Sequence, residues 1–138
     1  MLGKEDETIK KQVVVFASDH AGFKLKQSLI SYMKENTDYS IIDSGCYSLE
    51  SCHYPLYAKE GVKNMKKYKD SKGVFVCSTG IGISIAANRD ESISACLCHN
   101  LIEVKKGKEL NCNVIVFGEL IVENDLAIEM LKEFFEIK

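Results

Sequence analysis

The stretch "VFVCSTGIGISIAAN", residues 74–88, decides the fold. It starts inside an apolar, β-branched run, "GVFVC" over 73–77, that predicts a buried strand. Ser78, Thr79, Gly80, Ile81 and Gly82 follow, and a helix is expected over 81–88. A strand that turns through small residues straight into a helix is the repeating unit of a parallel sheet, with its loop at the strand's carboxyl end.

The same alternation extends to both sides. "QVVVFAS" (12–18) predicts a strand, and from Ala21 the apolar positions Ala21, Leu25, Leu29 and Tyr32 recur every three to four residues among Lys24, Lys26, Gln27 and Lys34, an amphipathic helix. "YSIID" (39–43) predicts a second strand, "SGCYSLESCHYP" (44–55) a loop holding the one proline, Pro55, and Leu56 to Lys69 a helix. Beyond the opening stretch, "SISACLC" (92–98) and "CNVIVFG" (112–118) predict strands, with a helix over 100–109 between them. "NDLAIEMLKEFFEI" (124–137) predicts a closing helix with Asn124 or Asp125 as N-cap. Five strands that are apolar along their length imply an α/β fold with a parallel sheet covered by helices on both faces. One domain over 12–138 is expected, preceded by a flexible arm over 1–11.

A chain of 138 residues, 46% hydrophobic and 28% charged, fits one globular domain. With 18 basic and 20 acidic residues its net charge is -2, so no basic footprint predicts a nucleic-acid or membrane partner. No apolar run approaches the ~20 residues that span a bilayer. The N-terminal "MLGKEDETIKK" is polar rather than signal-like, so a cytoplasmic location is expected. The six cysteines are then expected as reduced thiols, most of them small buried hydrophobes.

Ligands of such folds bind outside the carboxyl ends of the strands. Ser18, Asp19 and His20, then Asp43, Ser44 and Gly45, then Cys77 to Gly82, then Cys98, His99 and Asn100, then Gly118 and Glu119 all fall on that edge. A lone Asp or Ser there is ordinarily a turn or cap residue. A thiol and two of the three histidines on one edge are harder to explain that way. Backbone N–H groups of Thr79 to Ile83 would open a helix whose N-terminus favours an anion, and a thiol beside it is a usable base or nucleophile. Glycines at 80 and 82 let a ligand approach the backbone.

Spacing excludes several chemistries. No Gly-x-x-x-x-Gly-Lys occurs and no Gly-x-Gly-x-x-Gly follows a strand, which removes P-loop and dinucleotide sites. A cysteine phosphatase needs an arginine about six residues past its nucleophile to hold the phosphoryl group, and this chain has Ile83 there. "CLCH" groups Cys96, Cys98 and His99, but no second Cys or His pair stands at ligand spacing, so no metal is expected. His53, in "CHYP", reads as a loop contact.

"SDHAGFKLK" (18–26), "DSGCYS" (43–48), "HYPLYA" (53–58), "CSTGIGISIAAN" (77–88) and "NCNVIVFG" (111–118), in this order, resemble the type B ribose-5-phosphate isomerases. The same family includes the galactose-6-phosphate isomerase subunits. The resemblance implies a Rossmann-like three-layer α/β/α sandwich, a homodimer or homotetramer with active sites at subunit contacts, and a sugar phosphate as the small-molecule ligand. It implies Cys77 as the base of a 1,2-proton shift, with Thr79 beside the reacting carbons. Ser78, Gly80, Ile81, Gly82 and Ile83 would hold the enediolate oxygens, and Asp19, His20 and Asn111 would contact the substrate. No metal or organic cofactor is implied. Where family members carry Arg-x-His-Asn, this chain has "KELNCN" (108–113), which leaves His99 as the stand-in for ring opening. The B-type sequences of galactose-6-phosphate isomerase share that lack and the His-Tyr-Pro. Arg89 is the chain's one arginine, so Lys105 and Lys108 are the cations expected to reach a phosphate.

Overall fold

The computed structural model describes residues 12–47 and 53–138. The arm expected over 1–11 and the middle of the 44–55 loop lie outside them. The chain runs β1 (Val13–Ser18), one 3₁₀ turn (His20–Gly22), α1 (Phe23–Asn36), β2 (Ser40–Asp43), α2 (Tyr54–Lys67), β3 (Lys72–Cys77), α3 (Ile81–Asn88), β4 (Ala95–Leu97), α4 (Leu101–Glu109), β5 (Val114–Gly118) and α5 (Asn124–Phe135). The strands form one sheet in the order β2-β1-β3-β5-β4, and every pairing is parallel.

Successive strand residues alternate between two cores. Val14, Phe16, Val74, Val76, Ile115 and Phe117 face α1 and α5 through Leu25, Leu29, Met33, Met130, Leu131 and Phe134, with Val104 of α4 beside them. Val15, Ala17, Phe75, Cys77, Val114 and Val116 face α2 and α3 through Ala58, Val62, Met65, Ile83 and Ala87. Helices thus cover both faces in three layers. Phe16, Phe75 and Phe117, all 0% exposed, contribute about 2–3 kcal/mol each by leaving water. Among the described residues no helix is long and apolar enough to cross a membrane.

Several expected boundaries move for local reasons. Pro55 sits in the first turn of α2 rather than in the preceding loop, where its missing N–H costs the helix nothing. The N-cap of α5 is Glu123, so Asn124 and Asp125 are its first two residues. The fourth strand is only Ala95–Leu97, because Asn113 draws the residues before it aside, accepting from the Ser94 N–H and donating to the Ser92 carbonyl. Lys26, expected on a solvated helix face, is 0% exposed.

Candidate active site

β3 is the central strand, flanked by β1 and β5, and its last residue Cys77 pairs with Gly118. The thiol is 4% exposed, and its sulfur accepts the Gly80 N–H at 3.2 Å. Gly80 has φ +83°, a left-handed conformation that suits glycine, and it caps α3. The Thr79 Oγ1 accepts the Ile81 N–H at 3.2 Å. Gly82 and Ile83 occupy the next two helical positions, where N–H groups have no carbonyl within their own helix. One backbone donor therefore meets the sulfur, and the start of α3 follows directly behind it.

Neighbouring chain segments clamp this loop. A Cβ at Gly118 would run into the Thr79 carbonyl, so β5 passes directly under Thr79. The Glu119 and Leu120 N–H groups donate to the Cys77 and Ser78 carbonyls, both at 2.9 Å. On the other side, a Cβ at Gly22 would lie 2.5 Å from the Val76 carbonyl oxygen, which presses the His20–Gly22 turn against the end of β3. Asp19 is 8% exposed, and its Oδ1 caps that turn by accepting the Gly22 N–H at 3.0 Å. The Glu119 Oε1 accepts the Leu25 N–H at 2.8 Å, tying the end of β5 to the start of α1. The tips of β1, β3 and β5 are thus one rigid edge carrying Asp19, His20, Cys77, Ser78, Thr79, Gly80, Ile81, Gly82 and Ile83.

Two expected residues are not brought there within the chain. His99 follows β4, which β5 separates from β3, so two strand spacings of about 4.8 Å intervene. Its backbone N–H and its Nδ1 both meet the Glu103 Oε1, at 2.6 and 3.0 Å. The His99 N–H bond, followed by the ring contact, holds the Glu103 carboxyl below the usual carboxylate range. Asn111 lies at the opposite edge, after α4 and before β5 begins, with φ +61°. It lines a cleft of about 720 Å³ there, with Lys69, Lys72 and Lys108. Lys108, expected to reach a phosphate, is committed to Glu133 at 3.0 Å and Glu136 at 3.2 Å. A second cleft of about 540 Å³, between α2 and α3, includes Arg89. Neither cleft includes Cys77.

The remaining cysteines differ from one another. Cys46 is disulfide-bonded, which corrects the expectation of six reduced thiols. Cys77, Cys96, Cys98 and Cys112 are free. The Cys98 thiol lies 3.6 Å from that of Cys96. Among the described residues no three His, Cys, Asp or Glu side chains group as metal ligands. Sequence reasoning did not single out Lys26; Ser18, expected on this edge, has its hydroxyl buried with no partner among the described residues.

Comparison with known proteins matches residues 14–138 to the family described as Ribose/Galactose Isomerase. This chain belongs to that family. It is similar to ribose-5-phosphate isomerase B of Escherichia coli, 34% identical over 115 residues, covering 83% of this chain and 76% of that protein. It is also similar to the galactose-6-phosphate isomerase subunit LacB of Clostridium acetobutylicum, 32% identical, covering 91% and 73%. The solved structure of Clostridium thermocellum ribose-5-phosphate isomerase B superposes with a TM-score of 0.87 at 30% identity, covering 92% of this chain and 86% of that one. As a member of the ribose/galactose isomerase family, the protein is a sugar-phosphate isomerase with the α/β fold of the type B enzymes.

Proposed function

We propose that the protein interconverts ribose 5-phosphate and ribulose 5-phosphate through an enediolate, with Cys77 as the base. The observation that carries this reading is the Cys77 sulfur facing the Gly80 N–H at 3.2 Å, at the mouth of a helix whose next N–H groups are open. Cys77 removes the proton from C2 of the open-chain aldose, and the electron pair forms the C1–C2 double bond of the enediolate. The N–H groups of Gly82 and Ile83 hold the developing oxyanion, where preorganised donors contribute most. The proton returns to C1 as a hydroxyl proton moves from O2 to O1, which balances the shift without an external oxidant or reductant. Thr79 stands beside the reacting carbons, and Asp19 and His20 bind the sugar and its phosphate.

We further propose that a second copy of the chain completes the site. Ile81, Ile85, Leu101, Ile102, Leu120 and Ile121 are exposed around this edge, Ile102 by 80% and Leu120 by 77%. Scattered apolar residues are ordinary, but six of them on the segments that follow β3, β4 and β5 suit a contact between two copies. A partner copy would bring Asn111 and a cation to the open side of Cys77, and His99 would then open the sugar ring.

A second reading, a galactose-6-phosphate isomerase of the LacB type, is favoured by "KELNCN" (108–113), which offers only Glu109 or Leu110 where the family histidine would stand. One assay separates the two. The purified chain alone is expected to interconvert the pentose phosphates and to run as a dimer or tetramer in sedimentation. Activity confined to a hexose 6-phosphate, or appearing only with a different partner chain, would select the second reading. A chain stabilised by sugar phosphates yet inactive on both would be a binding relative rather than a working enzyme.

A further inference from the structure

Lys26 occupies the second turn of α1 with its side chain fully buried. Long cationic side chains ordinarily run their ammonium out to water. Here the Nζ instead donates to the Asp43 Oδ1 at 2.6 Å and to the Cys46 carbonyl, between the rings of Phe23 at 5.3 Å and Tyr47 at 5.6 Å. Burial lowers its pKa, and the Asp43 carboxylate opposes that shift.

The contacts lead stepwise to the active-site edge. The Asp43 Oδ1 also accepts the Gly45 N–H at 2.9 Å, and the Tyr47 hydroxyl donates to the Asp43 carbonyl at 2.9 Å. Gly45 and Cys46 then grip Ser18 from both sides: the Ser18 N–H donates to the Gly45 carbonyl and the Cys46 N–H to the Ser18 carbonyl, each at 2.7 Å. Ser18 is the last residue of β1 and immediately precedes Asp19. An apolar side chain at position 26 could fill the space, but it could not bind the Cys46 carbonyl.

We infer that Lys26 is a positioning residue: its ammonium holds the 43–47 loop onto Ser18 and thereby sets where Asp19 and His20 stand beside Cys77. This rests on the isomerase reading for its kinetic consequence, though not for its structural one. Lys26→Met should raise KM for ribose 5-phosphate about tenfold while kcat stays within about threefold, because substrate contacts shift while the Cys77 loop does not. Amide hydrogen exchange should quicken at residues 18–20 and 44–47.

Lys26→Met/Asp43→Leu removes the unpaired carboxylate that the single change leaves, so it should regain most of the lost melting temperature. Its KM should stay raised, because the Gly45 N–H and Cys46 carbonyl remain without their partners. If KM returns in step with melting temperature, or exchange at 18–20 is unchanged in Lys26→Met, the positioning role is wrong. Lys26→Gln, a shorter donor, should fold if Lys26→Met does not, and should raise KM by a smaller factor; no rise would equally overturn the role. Exchange needs no substrate, so a wild-type chain inactive on every sugar phosphate would count against the isomerase reading alone.

Discussion

The Cys77 thiol on β3 and the free thiols around Cys96 on β4 stand two strand spacings apart in this sheet and have opposite surroundings. Cys77, at the tip of β3, faces a backbone N–H at 3.2 Å and the opening of α3. Cys96, on β4, faces the Cys98 sulfur at 3.6 Å, with Cys112 close by. The neighbouring Cys98 thiol, followed by burial, pushes the Cys96 thiol well above its usual range. Burial first, then the charge that Cys96 would carry, pushes Cys112 up to about 11. The same side chain is offered a backbone donor in one place and other thiols in the other, so surroundings rather than residue type set the two apart.

The sharpest attempt to break this contrast exchanges the thiols for methyl groups. Cys77→Ala should lower kcat/KM for the sugar phosphate by about 10²–10⁴, the usual worth of a positioned base, while sugar-phosphate-dependent thermal stabilisation persists. Cys96→Ala should leave the rate within a few-fold. Equal losses in steady-state assays would erase the distinction.

Glycines beside each group extend the comparison to stability. Gly118→Ala would drive a methyl into the Thr79 backbone under the Cys77 loop, and should cost about 1–3 kcal/mol in denaturant unfolding. Gly107→Ala meets a side-chain atom instead, the Cys96 sulfur at 2.7 Å, which one χ rotation can displace. Its gain in helix propensity, about 1 kcal/mol, should nearly offset that crowding.

Replacing Cys112 isolates the second group's share of the alkaline response. The Cys112 thiol is raised from 9.0 to about 11, so the folded state keeps its proton longer than the unfolded chain does. The stability this contributes is fully present below pH 9 and falls as pH rises toward about 11. Melting temperatures across that window should decline less in Cys112→Ala than in the wild type. The smallest effect is expected at His99: its exposed contact with Glu103 makes His99→Gln worth no more than about 0.5 kcal/mol of stability. A kcat loss without a matching stability loss would mark His99 as acting on the substrate.

The sheet was legible because "VVVF", "GVFV" and "VIVF" are apolar on consecutive residues, as only a strand covered on both faces requires. The Cys77 loop was legible for a related reason: small residues between a strand and a helix have few other uses. Lys26 was not, since a lysine in an amphipathic helix looks solvated until its partner, 17 residues away at the tip of β2, is known. Asn111, expected at the substrate from the resemblance, lies on the opposite edge within one chain, and strand direction is the reason. In a parallel sheet, residues just before a strand belong to the edge opposite those just after it, and a left-handed Asn after a helix has a backbone reason to be there.

The sheet order also dictates when the site can exist during synthesis. β3 pairs with β1 and β5 but with neither of its nearest neighbours in sequence. A growing chain that has emerged as far as residue 110 already carries Cys77 and its glycines, yet the strand that passes beneath Thr79 is still missing. The loop can close only after Gly118 arrives, so this edge takes shape later than the strand that carries Cys77 and its formation waits on contacts distant in sequence.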